Sequence, residues 1–226
     1  MHKHAKLSNL STTLKFCNSD IEPVDQVRNL GVIFDSELTL KNHIAKTIQI
    51  SFFLIRHFCQ IRDHLDLNSA KLFANAVISS KLDYCNSLFY NLNANLLHKL
   101  QLVQNTLARV VVQKSKRFDH ITPILKNLHW LPINKRIEFK IATLTYNILA
   151  RDSPSYLSEL LLRPHQTCTR SSNNNKLVVP LIKSEYGRRC FSFAAPFIWN
   201  ALPQTLRDCP SITSFRKHLK THLFPS

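Results

Sequence analysis

Two-metal phosphoryl chemistry needs carboxylates that converge on a cation. In this sequence Asp63 and Asp66 lie near one another, as do Asp20, Glu22 and Asp25. Neither set closes an apolar strand that a second acidic strand could face, so helix caps and turns account for them. Neither the GxSxG nucleophile elbow nor HExxH occurs. The six cysteines (Cys17, Cys59, Cys85, Cys168, Cys190, Cys209) are at least 19 positions apart, without CxxC or zinc-type Cys/His spacing. His2 and His4 suit a stray cation at most. The only two glycines, Gly31 and Gly187, are too few for a P-loop or a dinucleotide fold. The expectation is no catalytic residue, no metal site and no cofactor.

The basic residues are more informative. Lys114, Lys116, Arg117, Lys126, Lys135, Arg136 and Lys140 fall within 27 positions, interleaved with Phe118, His129, Trp130, Phe139 and Tyr146. Cations that displace counterions from phosphates, beside rings that stack, suit a nucleic-acid surface. The competing account is a solvated basic face over an aromatic core. The whole chain carries 30 Lys and Arg against 14 Asp and Glu, a net +16. Residues 1–113 contribute +4 of that excess and 114–226 contribute +12. A charge of this size attracts polyanions and favours the nucleic-acid reading. No apolar secretory segment follows Met1, and the longest uncharged run, Cys190 to Leu206, is too short to span a bilayer. The expectation is an intracellular protein, in nucleus or cytoplasm, with reduced thiols and no membrane partner.

The elements that position these residues read as mainly α. Residues 1–40 suggest short strands: Leu14–Cys17, a turn at Asn18–Asp20, a return over Ile21–Val24, then Val27–Asp35 with a bulge or a close backbone approach at Gly31. From Thr39 the periodicity is helical. Ile44, Ile48, Phe52, Ile55, Phe58 and Cys59 share one face of 41–62, while Ile50, Phe53, Leu54 and Ile61 occupy the other, which predicts burial on both sides. A helix over Ala70–Leu82 is expected to turn Leu72, Phe73, Ala76 and Val77 inward. The next repeats Leu96, Leu100, Val103, Leu107 and Val110, with Gln101, Gln104 and Asn105 on its outer face. Pro123 and Pro132 bracket a short helix. Asn134 opens another to about Ala150, with Ile137, Ile141, Leu144 and Ile148 inward and Arg136, Lys140, Thr143 and Asn147 as a polar stripe. Pro154-Ser155 starts a short helix. His165–Asn175 reads as a linker. Lys176–Ile182 and Gly187–Phe193 are predicted strands of a C-terminal hairpin. Ser211 caps a last helix with Ile212, Phe215, Leu219 and Leu223 on one side and Arg216, Lys217 and Lys220 pointing elsewhere.

Several motifs together resemble one family. Val27–Asp35 (VRNLGVIFD) with Leu38 and His43-Ile44 begins the likeness. Lys81–Asn86 (KLDYCN), Leu100–Asn105 (LQLVQN), Leu128–Pro132 (LHWLP) with Arg136–Lys140 (RIEFK), and Pro154–Leu157 extend it. Tyr186-Gly187, Ala195-Pro196, Trp199–Pro203 (WNALP), Leu206-Arg207, Ser211 and Phe215–Lys220 complete it. In order and spacing these resemble the region after the catalytic palm in LINE-type (non-LTR) retrotransposon reverse transcriptases of the jockey and chicken-repeat group, over roughly residues 15–226. The family's catalytic aspartates lie upstream of that region, and no Tyr/Phe-x-Asp-Asp turn occurs here.

The resemblance implies residual palm strands over 1–40, with Leu30, Gly31 and Val32 where the primer is gripped. It implies a thumb-like bundle over 41–113, a basic helical extension over 114–164, and a hairpin-and-helix region over 165–226. Lys114, Lys116, Arg117, Lys126, Lys135, Arg136, Lys140 and Asn147 would then touch phosphates of RNA or an RNA–DNA duplex, without reading sequence. The implied function is a non-catalytic nucleic-acid-binding remnant. The alternatives are a structural or interaction remnant with incidental charge, and a polymerase part that needs a palm in trans.

Overall fold

The structure is a computed structural model and describes residues 14–17, 19–113, 119–161 and 175–224. The chain divides into two units, Met1–His43 and Ile44–Ser226.

The first unit holds two antiparallel hairpins. β1 (Leu14–Phe16) pairs with β2 (Ser19–Ile21), and β3 (Gln26–Asn29) with β4 (Val32–Asp35). In the second hairpin Asn29 stands opposite Val32, so Leu30 and Gly31 form the whole turn. Both have positive φ, 46° and 86°, as a two-residue turn matching strand twist requires. Gly31 therefore supplies the turn rather than the expected bulge. Asp35 at the end of β4 fastens the following segment. Its carboxylate accepts the Thr39 N–H at 2.8 Å, the Thr39 hydroxyl at 3.0 Å and the Leu40 N–H at 2.7 Å.

The second unit is helical. The first helix of the chain, α1 (Lys41–Ile61), lies almost wholly within it. α1 buries Ile44, Thr47, Ser51, Ile55 and Phe58, a single stripe at steps of three and four. The second apolar face is not covered: Ile50, Phe53 and Ile61 are exposed, and so are Phe52 and Cys59 of the first. The expected burial on two sides is thus corrected to one, because apolar periodicity reports a capacity to pack and not the presence of a partner.

α2 (Leu67–Phe73) opens on Asp66, whose side chain accepts the Asn68 and Ser69 N–H groups. It continues as a π-helical stretch, Ala74–Ser79, and then α3 (Ser80–Asp83). The buried row here is Ala70, Ala74, Ile78 and Leu82, and Leu72 and Ala76 are exposed, contrary to expectation. A strict spacing of four drifts around a 3.6-residue helix. The wider π turn brings these side chains back to one side.

α6 (Ile133–Arg151) is the centre of this unit. α4 (Ala94–Val112), α8 (Phe191–Ala201), α10 (Ile212–Leu223) and the 3₁₀ turn Asn86–Phe89 pack on it, and α5 (Ile121–Leu128) packs on α4. Two short helices, α7 (Ser155–Ser158) and α9 (Gln204–Arg207), fill the connections. Tyr146 of α6 stacks on Phe215 of α10 at 4.5 Å between centroids, and Trp199 of α8 lies 5.9 Å from Phe215. Such ring pairs fix relative rotation as well as burying area.

Polar side chains seal the helix ends. Arg62, 6% exposed, donates to the carbonyls of Val110, Val111 and Leu65, capping the C-terminus of α4. Arg207 does the same for the Asn200 and Leu202 carbonyls at the end of α8. α5 ends with His129 in the left-handed region (φ 57°), the Trp130 N–H donating to Leu125 O and the His129 N–H to Lys126 O. That is a Schellman close with histidine at the position glycine usually holds.

Gln101, Gln104 and Asn105 do not form an outer face of α4. Gln104 is 1% exposed and donates to the Leu131 carbonyl at 2.9 Å. Gln101 accepts the Ile133 N–H at 2.8 Å and donates to Gln104 Oε1 and Asn105 Oδ1. The chain of amides clamps the segment before α6, whose Pro-fixed backbone leaves groups that no helix satisfies.

The predicted C-terminal hairpin does not form; residues 175–183 carry no regular secondary structure and Gly187–Arg189 is a 3₁₀ turn leading into α8. Asn200 takes the Leu177 N–H (2.9 Å) and donates to its carbonyl (2.7 Å), occupying groups that a ladder would use. Gly187 is needed for space: a Cβ there would lie 2.3 Å from Ile182 Cγ2.

Candidate functional site

A cleft of ≈ 560 Å³ opens between α6 and α10 and is closed below by the Ala74–Ser79 stretch and the Asp83–Asn86 segment. Two helices supply its cations. Arg136 and Lys140 stand one turn apart on α6; Arg216, Lys217 and Lys220 stand within one turn on α10. The Tyr146–Phe215 stack holds the two helices together, so the cation rows face each other. Burial lowers the Lys220 pKa below its ordinary 10.5, and the positive charge of Arg136 lowers it further.

Among the described residues lining the cleft, Asp83 is the only carboxylate, and it is engaged. Arg136 Nε donates to Asp83 Oδ1 at 2.7 Å and its Nη2 to Asp83 Oδ2, a planar two-point pair. Asn86 Nδ2 reaches Asp83 Oδ1 at 3.4 Å. No carboxylate lies within ion-pair distance of Lys140, Arg216, Lys217 or Lys220 among the described residues. Asn75, His129, Trp130, Leu131 and Phe139 complete the walls.

The sequence-expected residues are partly gathered here. Arg136 and Lys140 line the cleft. Lys126 is exposed in the last turn of α5 and outside it. Lys135 turns to the other side of α6, where it pairs with Glu138 at 2.8 Å. Asn147 is half-buried further along α6 and does not line the cleft. Lys114, Lys116 and Arg117 lie outside the described residues. In the first unit Leu30 is 84% exposed at the hairpin tip while Val32 is buried.

Sequence reasoning left out Arg216, Lys217 and Lys220, along with Asn75, Asp83 and Asn86. One signal for the first three was present: Arg216 and Lys220 repeat the i, i+4 spacing of Arg136 and Lys140.

The arrangement suits an anion. Among the described lining residues no hydroxyl or thiol stands beside a base, and Asp83 is held by Arg136. Of the sequence's other acidic pairs, Asp66 caps α2 and Asp63 accepts from Gln113. Among the described residues no group of three or more His, Cys, Asp or Glu is placed to hold a metal ion, and no helix is long and apolar enough to cross a membrane. No protein-family model, curated protein or solved structure matches the chain.

Proposed function

We propose that this chain binds the sugar–phosphate backbone of nucleic acid, RNA or RNA–DNA duplex, without sequence preference and without catalysis of its own, in the manner its resemblance to the post-palm region of LINE-type reverse transcriptases implies. One observation carries the reading: five cations from two helices converge on one cleft whose single carboxylate is held by Arg136. Mutual repulsion among like charges is unfavourable in the free protein. A phosphate relieves it, and the counterions released from the nucleic acid add to affinity. Two-metal nucleotide addition needs converging carboxylates, and among the described residues lining the cleft Asp83 is the one carboxylate.

The test is a titration of a fluorescein-labelled RNA–DNA duplex by anisotropy between about 50 and 200 mM salt. Four to eight phosphate contacts give a log–log slope of roughly −4 to −7. A slope near zero, or no binding at the lowest salt, refutes the proposal. Primer extension with Mg²⁺ is expected to be blank, and measurable extension refutes the non-catalytic part.

A further inference from the structure

We propose that the cleft between α6 and α10 seats one unpaired nucleotide, phosphate and base together, so that the protein holds single-stranded or overhanging nucleic acid in preference to blunt duplex. This rests on the reading that the protein binds nucleic acid, and it names the form bound.

The shape of the cleft makes the first argument. Its ≈ 560 Å³ lies in the range of pockets that enclose small molecules. Lys140, Arg216 and Lys217 are exposed, whereas Asn86 is 4% exposed and Arg136 is half-buried. A duplex carries its phosphates on a convex surface with its bases stacked inside. It can meet the exposed cations and cannot enter between the helices. A single strand can lay a phosphate among Lys220, Lys217 and Arg216 and turn its base inward.

The second argument is chemical. Asn86 lines the cleft, and its Oδ1 is buried without a hydrogen-bond partner. Its Nδ2 faces Asp83 Oδ1, which fixes the amide so that the acceptor is the atom left over. A buried acceptor without a donor is unfavourable. A phosphate dianion presents acceptors alone and cannot satisfy it. The edge of a nucleobase carries N–H donors, and one that reaches Oδ1, which solvent does not touch in the empty cleft, can. Phe139, half-buried on the same wall, adds a ring face for the base. Cations, an unmatched acceptor and a ring in one concavity correspond to the parts of a nucleotide.

The experiment compares three labelled probes on the full chain: a blunt RNA–DNA duplex, that duplex with a five-nucleotide overhang, and a single strand of equal phosphate number. Uridine monophosphate and inorganic phosphate serve as competitors. The overhang and the single strand are expected to bind about tenfold tighter than the blunt duplex, as one stacked base allows. Uridine monophosphate is expected to compete where phosphate at the same concentration does not. Arg216→Gln with Lys220→Gln should erase the preference and reduce the single-strand salt slope by about 1.4, two contacts at ~0.7 each. Lys99→Gln, on an exposed part of α4 away from the cleft, should change neither. Circular dichroism checks that each variant is folded. Equal affinity for all three probes with a steep salt slope overturns this inference and leaves backbone binding standing. Failure of every probe to bind at low salt overturns both.

Discussion

Gln104 gives a measurement that separates two views of α4. An amide on a solvent-facing stripe would tolerate leucine within about 0.5 kcal/mol. Gln104 instead donates to Leu131 O at 2.9 Å from a fully buried position. Gln104→Leu keeps the volume and removes the donor. Gln101 Nε2 retains Asn105 Oδ1 at 2.8 Å, so the group left without a partner is the Leu131 carbonyl. An orphaned buried carbonyl costs about 2 kcal/mol. In a unit of this size each kcal/mol lowers Tm by roughly 2–4 °C, so the expected loss is ~4–8 °C. Gln104→Ala adds a cavity and should lose more. Gln101→Leu frees the half-buried Ile133 N–H and also leaves the buried Gln104 Oε1 without its donor, so it should cost about 2–3 kcal/mol. Asn105→Leu removes one of two acceptors for Gln101 and should be near neutral. Urea and thermal melts of the four variants give the order directly. A neutral Gln104→Leu, or an Asn105→Leu that costs more, refutes the clamp.

Arg62→Met leaves the buried Val111 carbonyl and the half-buried Val110 and Leu65 carbonyls without their shared donor, a loss of about 3 kcal/mol by urea melt; Arg62→Lys should rescue little, because a point charge cannot fork to three acceptors. His129→Gly relieves a left-handed residue and should stabilise by up to ~1 kcal/mol, read as a raised urea midpoint. Asp35 has a directional pH signature. Burial alone would raise its pKa, but the bonds from Thr39 and Leu40 outweigh that and hold the carboxyl below its usual 3.8. A depressed carboxyl contributes stability that is present above the unfolded pKa and is lost as pH falls through the folded one. Protection of the Thr39 and Leu40 amides from hydrogen exchange should therefore persist at neutral pH and fall below about pH 4. In Asp35→Asn that acid step should be absent; an unchanged acid step would contradict the assignment.

The helices were legible where apolar residues repeat over several turns. α4, α6 and α10 carry uninterrupted stripes, and Ser211 and Asp66 announce their helices as caps. Direction was harder. Gln101 and Gln104 look like solvent-facing amides because nothing local shows that an irregular Pro-containing segment, thirty residues on, needs their hydrogen bonds. α1 shows the converse, since Ile50, Phe53 and Ile61 repeat as a core face does and yet are exposed. At Gly31 a glycine inside an apolar run fits a bulge or a turn, and only strand register separates them. The C-terminal strands failed because Asn200, far along the chain, takes the backbone groups of Leu177. For the cleft, Arg136 and Lys140 were visible as a stripe. Their opposite wall on α10 depends on which helix packs against α6, which aromatic pairing through Tyr146 and Phe215 decides and periodicity does not.

The uncovered row on α1 has a practical consequence for anyone handling the protein. With a net charge of +16, molecules in dilute buffer keep their distance, and that repulsion also keeps one Phe53 away from another. Concentrated chloride, the usual means of stripping polyanions from a preparation, screens the repulsion while leaving apolar attraction intact. Salt therefore pulls in two directions on this chain: the wash that frees it of nucleic acid also invites it to precipitate, and a polar residue at Phe53 widens the interval between the two.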